Sequence, residues 1–134
     1  MKVDGACFCG HVTFEAEIDP EGVLLCHCTD CQRMTSSAFR MVAPARPGSF
    51  RLLSGEPTIF VKTAESGRRR RQAFCPVCGT SIYSAPADAE TQLFGLRAGT
   101  LRQYRSLVPK RQIWRRSEMA WLHDVADLPG RQTD

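Results

Sequence analysis

Seven cysteines fall into three local groups: Cys7-Phe8-Cys9, Cys26-His27-Cys28-Thr29-Asp30-Cys31 and Cys75-Pro76-Val77-Cys78. Sulfurs this close in sequence are chelating units, because one tight turn can offer both thiolates of a Cys-x-x-Cys pair to a tetrahedral ion. Gly79 follows the last pair and suits the left-handed backbone that closes such a turn. A pair is half of a structural zinc site, and Cys7 with Cys9 is the group that adds two ligands to Cys75 and Cys78. Cys26, Cys28 and Cys31 then remain as a triplet, and three protein ligands with one vacant position is the general build of a catalytic zinc site. Spacing alone leaves other partitions open: Cys26, Cys28 or Cys31 could complete the knuckle, or His27 could close the triplet. A redox role for Cys75 and Cys78 is disfavoured, since no βαβ pattern surrounds them.

An open triplet has a definite chemical leaning. Three thiolates pass more charge to zinc than three imidazoles do, which makes it a poorer generator of hydroxide and a better acceptor of an incoming thiol. Reversible carbon–sulfur chemistry between a thiol and an aldehyde is the class that follows. No residue stands out as a general base.

The elements that must position these groups are short strands. Val12–Ala16, Phe39–Ala43, Thr58–Lys62, Arg71–Phe74 and Ser81–Ser84 carry β-formers or alternate in polarity, and glycines and prolines punctuate them. Thr58 to Phe74 reads as a hairpin around Ala64-Glu65-Ser66-Gly67 and leads straight into Cys75. A short helix is predicted from Thr29 to Ser36, capped by Thr29 or Asp30, and a weaker one near Thr100 to Arg105. A mainly β chain is expected, with residues 1–134 as a single zinc-binding domain and a flexible polar tail at 130–134.

Bulk properties exclude several classes. No stretch of about 18 apolar residues occurs, so no membrane partner is expected, and the N-terminus lacks a secretory pattern. A cytoplasmic address follows. There, an odd number of cysteines argues against a disulfide framework. The formal charge is +4, but seven thiolates with two zinc ions would lower it by about 3. Nucleic acid is accordingly disfavoured as a partner.

The motifs resemble the glutathione-dependent formaldehyde-activating enzymes, also known as the aldehyde-activating or centromere-protein-V-like family. Gly5-Ala6-Cys7-Phe8-Cys9-Gly10-His11-Val12 resembles the opening cysteine pair and first strand of that family. Cys26-His27-Cys28-Thr29-Asp30-Cys31-Gln32-Arg33 resembles its three-cysteine motif, followed by Ser37-Ala38-Phe39 as a strand entry. Phe74-Cys75-Pro76-Val77-Cys78-Gly79-Thr80 resembles its zinc knuckle, and Ile113-Trp114 and Trp121-Leu122 its late aromatic positions. The resemblance implies an Mss4-like fold of small antiparallel sheets pinned by two zinc ions. It implies that Cys7, Cys9, Cys75 and Cys78 hold a structural ion, while Cys26, Cys28 and Cys31 hold a catalytic one. The implied activity is a carbon–sulfur lyase that forms or releases S-hydroxymethylglutathione, with a glutathione-like thiol and an aldehyde as small-molecule partners. One departure is Ser36, where members of the family often carry glycine.

The remaining conspicuous residues have plainer readings. Arg68 to Arg71 are expected to form a solvated hairpin arm; as functional alternatives they would clamp glutathione carboxylates or contact nucleic acid. Alternation sends Arg68 and Arg70 to one face and Arg69 and Arg71 to the other. His27, between two ligands, points away from the metal into packing. Asp30 caps or neighbours the triplet, His11 and His123 are surface or strand residues, and Trp114 and Trp121 are placed in the core, with a wall of the open zinc pocket as their functional alternative. A homodimer is compatible with the sequence, without a stripe or heptad to argue for it. The rival functions are a non-catalytic zinc-binding interaction module, with both ions structural, and a thiol redox sensor.

Overall fold

Alternating burial along short segments builds this protein from strands. A computed structural model of the chain describes residues 1–88 and 92–133. In chain order the elements are β1 (Lys2–Ala6), β2 (Thr13–Glu17), β3 (Leu24–Cys26), α1 (Thr29–Thr35), β4 (Arg40–Pro44), β5 (Arg51–Ser54), β6 (Thr58–Thr63), β7 (Arg69–Phe74), β8 (Ser81–Pro86), β9 (Gly95–Arg97) and β10 (Arg111–Ile113), with short 3₁₀ turns between and after them. The architecture is mainly β.

Two sheets result. The smaller has the order β1-β2-β5, and the larger runs β10-β3-β4-β9-β8-β7-β6. All pairings are antiparallel except that of β10 with β3. Isolated bridges from Gly5 to Leu101 and from Ile18 to Ala45 connect the sheets.

The two-residue period of a strand sorts the larger sheet into two chemistries. Ala43 of β4, Ala73 of β7, Tyr83 and Ala85 of β8 and Leu96 of β9 join the core, where Phe14, Ile18 and Leu101 are also fully buried. Phe50 links Phe14, Tyr83 and Phe94 with ring centroids 4.5–5.5 Å apart. Full burial of a phenylalanine such as Phe14 contributes about 1.5–3 kcal/mol. The alternate positions, Arg40 and Val42, Arg70 and Gln72, Ser84, and Arg97, line a cavity instead.

All five strands read from the sequence are present as β2, β4, β6, β7 and β8, and β6 and β7 form the expected hairpin. Its turn is closed by Gly67 N donating to Ala64 O at 2.8 Å, with Gly67 at φ 82°. The other five strands were not anticipated. The expected helix is α1, but its cap is corrected: Cys28, not Thr29 or Asp30, occupies the N-cap, and its Sγ accepts from the Cys31 N–H at 3.3 Å. The helix expected near Thr100 is two 3₁₀ turns, Ala98–Thr100 and Tyr104–Ser106. Neither tryptophan enters the core: Trp114 lines the cavity and Trp121 is 53% exposed. The segment after Arg115 is made of 3₁₀ turns without buried residues, so it has no interior for Trp121 to fill. The tail expected at 130–134 reaches Asp134, which lies outside the described residues.

Candidate metal centres and their cavity

The two knuckle turns meet where the sheets meet. Cys7 follows β1, and its turn is held by Gly10 N to Cys7 O and Cys7 N to Val12 O, both 3.0 Å. Cys75 follows β7, and its turn is held by Gly79 N to Cys75 O and Cys75 N to Thr80 O, both 2.9 Å. Gly79 has φ 75°, the left-handed backbone its position suggested. Thr80 Oγ1 joins the turns by accepting from the Phe8 N–H at 3.1 Å. The sulfurs of Cys7, Cys9, Cys75 and Cys78 lie within 4.8 Å of one another. The separations Cys7–Cys9 and Cys9–Cys75 are 3.6 and 3.8 Å. Tetrahedral zinc with bonds near 2.3 Å requires about 3.8 Å between sulfurs, so this set fits the ion. Donors favour the thiolate at Cys7 and Cys78: Val12 N–H reaches Cys7 Sγ at 3.2 Å, and the Thr80 hydroxyl and N–H hold Cys78 down to about 5.

The second set is built on the β3–α1 junction. Cys26 ends β3, Cys28 caps α1 and Cys31 lies in its first turn, so a strand end and a helix start point three sulfurs at one spot. They too lie within 4.8 Å of one another, and among the described residues no fourth histidine, cysteine or carboxylate joins them. Crowded sulfurs polarise one another. Hydrogen bonds from the Cys26 and Cys31 thiols, then the Cys31 N–H and the charge of Lys62, hold Cys28 down to about 2. Cys26 is pushed up by its hydrogen bonds with Cys28 and Cys31 and by burial. For Cys31 the hydrogen bond with Cys26 is outweighed by that with Cys28 and by burial, and it too is pushed up. A soft divalent cation relieves this conflict by replacing the shared protons, so the donor set is compatible with zinc.

The triplet opens on a cavity of about 720 Å³, within the range of small-molecule sites, roughly 300–1,000 Å³. Cys26, Cys28 and Cys31 form one part of its lining and Trp114 another. Lys62 of the hairpin reaches Asp30 of α1 at 2.5 Å, tying β6 over the triplet. At the rim, Arg116 pairs with Glu65 of the hairpin turn and stacks 4.9 Å from the Trp114 ring centroid.

Buried cations make up the wall beside the triplet. Arg40 is 5% exposed and Arg97 8%. Burial lowers the Arg40 pKa, against the opposing charge of Cys31. Arg97 is pushed down to about 9 by burial, then by repulsion from Arg40. Arg97 Nη2 donates to Gln72 Oε1 at 2.6 Å, and Arg70 Nη2 to Ser84 Oγ at 3.3 Å. Among the described residues, Arg97 Nε and Arg40 Nε and Nη2 have no hydrogen-bond partner.

The groups of four and three anticipated from sequence are brought together, while His27 is not. His27 is buried, donates from Nε2 to Gln112 Oε1 at 2.8 Å and packs against Phe39. Asp30 pairs with Lys62, His11 is exposed, and His123 is exposed 3.8 Å from Glu118. The reading of Arg68–Arg71 as a solvated arm holds for Arg68 and Arg69, which are exposed, and is corrected for Arg70 and Arg71, which are half-buried. Arg68 and Arg70 line the cavity, and Arg71 Nε donates to Pro86 O at 3.0 Å, because β7 pairs with β8 as well as β6. Arg40, Lys62, Gln72 and Arg97 were missed. Arg40 carried a signal, a charge in phase with a half-buried strand position, whereas β9 is too short to reveal a period.

The fold and its cysteine clusters define a class: a mainly β, Mss4-like protein with two sites able to hold zinc. Residues 2–117 match the family described as "Glutathione-dependent formaldehyde-activating enzyme", and the chain belongs to that family. Among solved structures it is similar to the crystal structure of a Rhodobacter sphaeroides protein determined as a structural genomics target. The two are 21% identical, the match covers 81% of this chain and 98% of that one, and the TM-score is 0.61, a likeness of fold. A sequence comparison with curated proteins finds no match. Among the described residues, no helix is long and apolar enough to cross a membrane.

Proposed function

We propose that this chain is a zinc-dependent carbon–sulfur lyase acting on a thiol–aldehyde adduct such as S-hydroxymethylglutathione. In this reading Cys7, Cys9, Cys75 and Cys78 hold a structural ion, and Cys26, Cys28 and Cys31 hold the catalytic one. The whole of residues 1–134 works as one cytoplasmic domain. The observation that carries it is the convergence of Cys26, Cys28 and Cys31 on the wall of a cavity, without a fourth ligand among the described residues. Family membership supports the thiol and aldehyde as substrate classes.

Zinc, when bound by three thiolates, supplies a soft position that takes a further thiol as its thiolate. The reaction breaks the carbon–sulfur bond of RS–CH₂OH: the bonding pair returns to sulfur, the carbonyl forms, and the hydroxyl proton leaves oxygen. The reverse direction forms the same bond from thiol and aldehyde. The protein's own groups bind and orient. Lys62, held to Asp30, brings positive charge to Cys28, and Arg40 brings it to Cys31. Among the described residues the cavity carboxylates, Asp30 and Glu65, are both ion-paired, and none stands out as a general base.

The interaction-module alternative relied on an exposed arginine arm, of which Arg68 and Arg69 are exposed while Arg70 and Arg71 are half-buried. The test is two-dimensional exchange NMR on glutathione and formaldehyde with zinc-loaded protein. Exchange faster than in buffer, and restored to the buffer rate by Cys28→Ala, is expected. Exchange at the buffer rate with the wild-type protein would overturn the assignment.

A further inference from the structure

β6 ends the larger sheet without the devices that normally blunt an edge. It is the outermost strand in the order β10-β3-β4-β9-β8-β7-β6, paired on one side with β7 and, among the described residues, with no strand on the other. An edge strand offers a row of unpaired N–H and C=O groups, and a bulge, a proline or an outward charge usually protects it. The register of β6 with β7 runs unbroken from Thr58 to Thr63, and the strand contains no proline. Its one charge, Lys62, is folded back onto Asp30 of α1 at 2.5 Å and is mostly buried. The edge shows Ile59, Phe60 and Val61 instead, all exposed, Phe60 by 56%. Three consecutive exposed apolar residues on a strand favour association and are kept where they serve a contact.

We propose that β6 is the interface with a second copy of this chain, paired antiparallel about a twofold axis at Phe60. The pleat selects this register. Residues opposite one another in a continuous sheet point to the same face, so the partners in a twofold pairing are both odd-numbered or both even-numbered. An axis at Phe60 sets Phe60 against its own copy, Ile59 against Val61 and Thr58 against Lys62, so the apolar residues meet one another. An axis at Val61 would set Phe60 against Lys62, and one at Ile59 would bring in Pro57, which has no N–H to pair.

The charges beyond the strand agree with the antiparallel arrangement. Glu56 is exposed and has no ion pair among the described residues. It falls opposite Ala64 of the other copy, whose N–H donates to the carbonyl of the exposed Arg68 at 2.8 Å. Glu65 in that turn is already committed to Arg116. Each acidic strand start therefore meets a basic turn, twice over, whereas parallel pairing would set acid beside acid. Phe60 and Lys62 stand opposite Gln72 and Arg70, which line the cavity. The joined sheet accordingly carries both cavities on one face, with the two Phe60 rings between them.

Sedimentation equilibrium of the full, zinc-loaded chain across the micromolar range tests the interface. A reversible monomer–dimer equilibrium is expected. Phe60→Lys, which brings two cations together at the axis, is expected to weaken it by about tenfold or more. Because Phe60 is exposed, circular dichroism of the variant should match the wild type. Glu56→Lys is expected to weaken the dimer as well, and adding Arg68→Glu to restore it. A monomer throughout the range overturns the interface. So does a dimer that a folded Phe60→Lys variant keeps at wild-type strength, and so does growth beyond the dimer, which a closed twofold contact forbids. Should Phe60→Lys fail to fold, the charge exchange decides: a dimer indifferent to Glu56→Lys, or not recovered by Arg68→Glu, overturns it.

Discussion

Arg40 and Cys26 are paired directly across the β3–β4 ladder, so a guanidinium and a thiol rise side by side from one face of the sheet. The charge of Arg40 acts on Cys31 as well. Three thiolates around a divalent ion leave a net charge of about −1, which Arg40 offsets. Arg40→Met is therefore expected to weaken metal binding at the triplet by about 10–100-fold, the usual scale for losing a supporting partner. Arg40→Lys should retain part of it. A chelator competition titration reads this, and unchanged affinity in Arg40→Met would remove Arg40 from the account.

The two cysteine sets should differ in what their loss does. Cys75→Ser breaks the set that joins both sheets, so it is expected to release zinc and to unfold much of the chain, because a structural ion is worth several kcal/mol of folding energy. Cys28→Ala is expected to release one ion and keep the fold, at a cost of about 1 kcal/mol for the lost helix cap. Elemental analysis and thermal melts on both variants check the contrast. Equal melting points for the two would contradict it.

Ser36 closes α1 in the left-handed conformation, at φ 51° and ψ 39°, a position where glycine is the residue without steric penalty. Ser36→Gly is expected to stabilise the protein by about 0.5–1 kcal/mol. Denaturant midpoints with an unchanged slope would register it, and a destabilised variant would contradict the strain argument.

How much was legible beforehand divides along physical lines. The cysteine grouping could be read because chelate spacing is local, and the β6–β7 hairpin because its turn chemistry sits between two six-residue strands. β3, β9 and β10 have three residues each, too few to show a two-residue period. The cationic wall escaped for a related reason: Arg40, Arg70 and Arg97 are 27 or more positions apart in sequence and meet through the order β4-β9-β8-β7. For Trp114 aromatic size favoured the core over the pocket wall, whereas with its backbone at φ 60° it lines the cavity, as the alternative reading had it.

Gly5 reports on packing next to the four-cysteine set. A Cβ there would collide with the ring of Phe14, in the middle of the core. Gly5→Ala is expected to destabilise by about 1–3 kcal/mol through overpacking, with a matching drop in the denaturant midpoint. A neutral effect would mean that the Phe14 ring moves freely, against its complete burial.

The central claim, a closed four-sulfur site beside an open three-sulfur site, is tested most directly by cobalt(II) substitution followed by addition of glutathione. Two equivalents of cobalt should bind with tetrahedral thiolate spectra, and glutathione should shift the bands of one equivalent while leaving the other unchanged. Cys28→Ala should lose only the responsive equivalent. Binding of a single equivalent, or two whose spectra ignore the thiol, would contradict the account.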